Sequence, residues 1–302
     1  MQVFDSIPSL GFYKVIDLHT HSTASDGSLR PAALIHAAAQ QGITALALTD
    51  HDTLAGLSEA EQAAKQEGIR FIPGIEIELS WEPGEFHLLG LGVSKPSPAF
   101  METVAGLAQK REARNHAIIG RMRDAGIEVQ YEDILALSGG HSVGRPHFAS
   151  FLVNQHIVKN HEQAFEKYLA KGKLFYVPRE CLEFQRALAL IKESGGITVL
   201  AHPMSLYVSW GSLPALIRDF QEQGMDGIEA WHPTATPKTC KRLEELGRSL
   251  DMYITAGSDF HGANRPDRKL GITSGDCKIS ETILEAIPPL TEGSRALSSS
   301  SL

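Results

Sequence analysis

Five separate apolar runs in this chain each give way to a cluster of histidines and carboxylates, and that repeated ending limits the folds open to it more than any other feature. The first cluster is Asp17-Leu-His19-Thr-His21, followed by Ser25-Asp26-Gly27. The second is Leu48-Thr49-Asp50-His51-Asp52, and the third is Pro73-Gly74-Ile75-Glu76, with His87 on the next run. Val199-Leu200-Ala201-His202-Pro203 and Gly257-Ser258-Asp259-Phe260-His261-Gly262 complete the series. A buried polar group needs a partner, so packing alone does not account for such endings. Scattered core histidines would not choose the same end of the strand each time. In α/β barrels the C-terminal ends of the strands carry the active site.

The runs themselves predict seven strands, Lys14–Leu18, Ile43–Leu48, Arg70–Ile75, Phe86–Val93, Ile197–Ala201, Gly227–Trp231 and Met252–Ala256. Helical patterns fill many of the gaps, over Arg30–Gln41, Leu54–Glu67, Glu180–Ser194, Leu213–Gln223 and Pro237–Leu250. Such alternation predicts a parallel α/β sheet, closed or open. It stops between Ser94 and Pro178, where Ala99–Asp124, Tyr131–Leu137, His147–Asn154 and His161–Ala170 read as helices. The expected organisation is therefore a discontinuous barrel over 12–93 and 179–290, a helical cap inserted over 94–178, and a disordered serine-rich tail over 291–302. The inserted segment carries 11 Lys and Arg against 8 Asp and Glu, a net +3, which leaves the rest of the chain at −11.

Composition narrows the function classes. A formal net charge of −8 argues against broad nucleic-acid coating, though a local cationic site could hold a small anion. No apolar run approaches the roughly 20 residues of a membrane span, and Met1–Leu10 lacks the pattern of a signal peptide. Three widely spaced cysteines, Cys181, Cys240 and Cys277, form no CxxC pair and no disulfide framework, so a cytoplasmic location is expected. No P-loop, dinucleotide fingerprint or nucleophile elbow is present.

The side chains at the strand ends suit divalent metal. Period two along an extended strand puts His19 and His21 on one side, and Asp26 can return from the following loop. His51 is the expected ligand of its cluster, with Asp50 and Asp52 orienting neighbours. Glu76 could bridge two cations, with Glu78 the lesser candidate for that role. Six imidazoles (His19, His21, His51, His87, His202, His261) and three carboxylates (Asp26, Glu76, Asp259) exceed the needs of one catalytic cation, which typically takes three protein ligands. Two or three ions of Zn²⁺, Mn²⁺ or Fe²⁺ are expected.

These segments, from Ile16 to about Gly271, resemble the motifs of the polymerase and histidinol phosphatase (PHP) family. The resemblance implies a distorted (β/α)₇ barrel with a trinuclear site. It implies one metal held by His19, His21, Glu76 and Asp259, a second by Glu76, His87 and His202, and a third by Asp26, His51 and His261. It also implies phosphoester hydrolysis by metal-activated hydroxide, with Glu76, His202 and Asp259 central to catalysis. The helical insertion is similar to that of small bacterial members that include nucleoside 3′,5′-bisphosphate phosphatases and 5′→3′ exoribonucleases.

Within the insertion, Arg111 and Arg114 share a helix face, and Gly144-Arg145-Pro146-His147 is a constrained turn that could aim Arg145 and His147 at phosphate. His232 also ends a strand and is a candidate for substrate contact. His36, His116, His141, His156 and His161 read as ordinary surface or helix histidines. The general acid is open among a bound water, His202, His232 and His147. The expected partner is a small phosphorylated substrate, a nucleotide or short oligonucleotide, with no membrane and no stable nucleic-acid complex. A small-metabolite phosphatase, such as one for histidinol phosphate, and a non-catalytic metal-stabilised module are the alternatives. A C–N hydrolase would usually use a bridging lysine, and no lysine lies near these strand ends.

Overall fold

Seven strands form one sheet in the order in which they occur along the chain: β1 (Val15–Asp17), β2 (Ile43–Leu48), β3 (Arg70–Leu79), β4 (Phe86–Leu91), β5 (Ile197–Leu200), β6 (Gly227–Trp231) and β7 (Tyr253–Ala256). The structure is a computed structural model that describes residues 14–138, 143–178 and 180–291. The start at Met1–Leu10, the pair Gly139-Gly140, His141 and, beyond Thr291, the expected tail lie outside the described residues.

The sheet is parallel except at β4, which runs antiparallel to both β3 and β5. The expected parallel α/β sheet is thus mostly parallel, with β4 the exception. Only residues 80–85 separate β3 from β4, and a parallel crossover needs a dozen or more residues. The outer strands meet where the polar clusters lie: Thr20 and Phe260 form a parallel bridge, with His21 N donating to Phe260 O and Asp259 N donating to His19 O, both at 2.9 Å.

Helices cover the outside. α1 (Pro31–Gln40) and α2 (Leu57–Glu67) bury Leu34, Ile35, Ala60 and Ala64 with Leu46 and Leu48 of β2. The long helix α3 (Pro98–Asp124), capped by Ser97 Oγ, spans about 40 Å at 1.5 Å per residue. Its first half places Phe100, Val104 and Leu107 in the core of the sheet. Its second half places Ile118, Ile119 and Met122 in a separate core with Phe148 and Leu152 of α5 (Arg145–Asn154), Ile134 of α4 (Tyr131–Leu137) and Phe175. The helix expected over His161–Ala170 is instead a short α6 (His161–Ala164) followed by a π-helical turn, Phe165–Leu169. Then α7 (Phe184–Glu193), α8 (Leu213–Glu222) and α9 (Pro237–Ser249) alternate with the last strands, each burying one apolar stripe, such as Ala187, Leu188 and Ile191 of α7.

Candidate metal centre

The end of β1 is fixed from two directions. The buried carboxylate of Asp17 accepts from Ser258 N at 3.0 Å, Ser258 Oγ, Gly271 N at 2.8 Å and His19 N at 3.3 Å. Glycine is required opposite it, since a Cβ on Gly257 would stand 2.2 Å from the His19 Cβ. Three residues at the mouth hold positive φ without being glycine: Asp52 at 48°, His202 at 27° and Asp259 at 54°. Such backbone is costly and persists where surrounding structure over-determines it.

The nine residues that sequence singled out come together around Glu76, which is fully buried. Its Oε2 lies 3.3 Å from His19 Nε2, 3.2 Å from His21 Nε2 and 3.1 Å from His51 Nδ1. Its Oε1 lies 2.9 Å from His87 Nδ1 and 3.0 Å from His202 Nε2. Asp259 Oδ1 stands 3.6 and 3.4 Å from the Nε2 atoms of His19 and His21, which are themselves 3.1 Å apart. A third group forms where Asp26 Oδ1 lies 3.2 Å from His261 Nε2 and Asp26 Oδ2 lies 3.9 Å from His51 Nε2. His21 stacks between His51 and His261, ring centroids 4.5 and 4.2 Å away. Glu78, two residues further along β3, pairs in register with His87 of β4, and its backbone N donates to Asp52 Oδ1 at 3.3 Å.

His87 reaches the centre because β4 runs backwards: it opens a strand whose beginning is at the mouth. Glu76, expected at the end of β3, lies inside a longer strand and pairs with Leu89 of β4.

A second layer was only partly legible. Glu229, an acid within the apolar strand β6, was missed; its Oε1 lies 3.0 Å from His19 Nδ1, and its Oε2 accepts from His202 N at 2.8 Å. Arg265 was also missed; its Nη1 donates to Asp259 Oδ2 at 2.9 Å. His232 is buried, accepts from Thr234 N through Nδ1 at 3.2 Å, and turns Nε2 toward Asp259 Oδ2 at 3.4 Å. Asp50 accepts from Ser22 and Ser25 and holds the turn that carries Asp26.

The donor set fits divalent metal. Two ligand atoms bound to one cation at about 2.1 Å, subtending 90–110°, stand roughly 2.9–3.4 Å apart, and the contacts around Glu76 Oε2 fall in that range. Among the described residues, His21 Nδ1 and His87 Nε2 are buried with no hydrogen-bond partner, a costly arrangement that a ligand would relieve. Electrostatics agree. Burial would raise the Glu76 carboxyl, but His51, His19 and His87 hold it well below its ordinary range. Burial pulls His21 and His87 down, yet neighbouring carboxylates, Glu76 in both cases, outweigh it and push each up to about 9. In the metal-free chain the protonated imidazoles of His21 and His87 thus offset the charge of the ionised carboxylates.

The residues of the helical segment divide. Arg111 Nη2 donates to Asp52 Oδ2 and, at 2.9 Å, to His51 O, so it braces the loop that carries His51. Arg114 is buried; it donates to Asn115 Oδ1 at 3.0 Å, and its Nε has no partner among the described residues. Burial, with Arg111 and Arg145 nearby, lowers the Arg114 guanidinium to about 10. Arg145 opens α5 and lies 3.5 Å from Glu85 Oε1. His147 takes the Gly144 N–H on Nδ1 at 2.9 Å. The start of α5 sits over the centre, since a Cβ on Gly144 would lie 3.8 Å from the Asp26 Cβ. His36 and His116 lie on helix surfaces as read.

Comparison with known proteins agrees with this geometry. A family model described as the PHP domain matches residues 17–187. The chain is 40% identical over 248 residues to a 5′-3′ exoribonuclease of Haemophilus influenzae, covering 82% of this chain and 90% of that one. It is 35% identical over 266 residues to a 3′,5′-nucleoside bisphosphate phosphatase of Chromobacterium violaceum, covering 85% and 91%. A solved structure described as an amidohydrolase from Chromobacterium violaceum, with bound sulfate and no metal, superposes with a TM-score of 0.80 at 33% identity, covering 90% of this chain and 96% of that one.

Proposed function

The chain belongs to the PHP family of metal-dependent phosphoesterases, and from that membership we propose that it hydrolyses a nucleotide carrying a second phosphate, or the 5′ end of a short RNA. This reading rests first on Glu76, whose two oxygens face two different sets of imidazoles. A carboxylate so shared could help to hold two cations. We assign His19, His21, Glu76 and Asp259 to one ion, Glu76, His87 and His202 to the next, and Asp26, His51 and His261 to a third, with Mn²⁺, Zn²⁺ or Fe²⁺ all compatible with these donors. Bound there, divalent ions supply a nucleophile at neutral pH and offset charge on the phosphate.

The chain's own residues do the rest. Glu229 fixes which ring nitrogen His19 presents, and His232 and Arg265 hold the outer oxygen of Asp259. Residues 94–178 act as a cap. Within it Arg114 supplies a buried guanidinium with no carboxylate hydrogen-bonded to it among the described residues, and Arg145 and His147 lie at the start of α5. Planar, two-pronged guanidinium groups suit phosphate, and the metals can hold only the phosphate being cleaved. The second anion therefore meets Arg114, Arg145 and His147. The relatives named above act, by their descriptions, on nucleoside bisphosphates and RNA.

A hydrolysis screen with Mn²⁺ tests this, comparing nucleoside 3′,5′-bisphosphates, short RNA, histidinol phosphate and simple monoesters. Preference for the first two is expected. Preference for histidinol phosphate would replace this reading with that of a small-metabolite phosphatase.

A further inference from the structure

Between the loop after β2 and the helices α3 and α4 lies a cavity of about 280 Å³, and its lining differs in kind from both the metal centre and the arginine site. One wall is His51, whose two ring nitrogens face Glu76 and Asp26, so the cavity borders the centre. Tyr131 also lines the cavity, its ring covered on one face by His116 with centroids 4.6 Å apart and planes tilted by 23°. Ala24, Ala108 and Val143 add small apolar surface, and Thr53, Glu112 and Asn115 add polar edges.

The cationic and amide groups here are already engaged. Arg111 is paired with Asp52. The Asn115 amide donates to Val143 O at 2.8 Å and accepts from Arg114. The cavity is therefore a poor place for a second phosphate and suits an uncharged, flat group with polar edges. We propose that this cavity receives the base and sugar of the substrate, with the Tyr131 ring as the stacking surface for the base. The proposal rests on the nucleotide reading above and adds to it the site that distinguishes a nucleotide from other phosphate esters. Base stacking on an aromatic ring is sequence-tolerant, because every base has a π-face, so Tyr131 selects for the presence of a base over its identity.

Steady-state kinetics of the metal-loaded enzyme on adenosine 3′,5′-bisphosphate and on ribose 5-phosphate, which lacks a base, test this. For Tyr131→Ala the KM for the bisphosphate should rise about five- to a hundredfold, far more than that for ribose 5-phosphate. Tyr131→Phe keeps the ring and should retain most of the wild-type preference for the base-bearing substrate. Thermal melting of both variants checks the fold. Equal losses of Tyr131→Ala on the two substrates, or no loss on either, would overturn the cavity assignment while leaving the nucleotide reading intact. Wild-type enzyme that cleaves ribose 5-phosphate but no nucleotide would overturn the nucleotide reading, and the cavity assignment with it.

Discussion

The Glu229 carboxylate links two halves of the centre: one oxygen lies 3.0 Å from His19 Nδ1 on β1, and the other accepts the backbone N–H of His202 beyond β5 at 2.8 Å. Both contacts need an acceptor if His19 presents Nε2 to a metal, because Nδ1 then carries the proton. An amide offers only one acceptor oxygen. Glu229→Gln should therefore weaken metal binding or activity about ten- to a hundredfold, the usual cost of losing such an outer partner. Metal titration of the variant checks this, and wild-type affinity would remove Glu229 from its positioning role.

Glu76→Gln and Asp259→Asn should each abolish phosphate release and lower bound metal with the fold retained. Both swaps keep shape and remove the charge that a cation needs. Elemental analysis beside circular dichroism reads the outcome; full metal content with near-normal turnover would exclude that residue as a ligand.

Purified without chelator, the wild-type chain should carry two or three metal equivalents. Elemental analysis gives the number directly. A value below one that added Mn²⁺ or Zn²⁺ does not raise would contradict a multinuclear centre.

Metal binding should release protons and strengthen as pH rises toward about 9. His21 and His87, each raised to about 9 in the metal-free chain, hold protons at neutral pH that a cation must displace. For the same reason the metal-free chain gains stability from these groups that is complete below their unfolded value near 6.5 and is lost as pH climbs through about 9. Calorimetry in buffers of different ionisation enthalpy counts the protons. Melting temperatures of the metal-free chain between pH 6.5 and 9.5 should fall, and a flat or rising profile would contradict the assignment.

Arg145→Ala should lower kcat/KM on nucleoside bisphosphates about ten- to a hundredfold, the cost of one charge-assisted contact, while p-nitrophenyl phosphate loses little. Equal losses on both would place Arg145 on the scissile phosphate or in the fold.

By itself the sequence determined which residue types stand at the strand ends, because an apolar run followed by His and Asp is a local pattern that period two resolves into one face. It could not decide the direction of β4, which depends on the short link over residues 80–85, and that direction carries His87 to the mouth. Nor could it separate Arg111 from Arg114. They share a helix face, and only packing against the β2 loop commits the first to Asp52 and leaves the Nε of the second without a partner among the described residues. Glu229 lies 210 positions from His19, and no local pattern connects an acid inside one apolar strand with a histidine at the end of another. Strand propensity and ligand chemistry act over a few residues and can be read along the chain. Which side chain completes another's hydrogen bonds is settled only when the sheet closes and brings β1, β5 and β6 together.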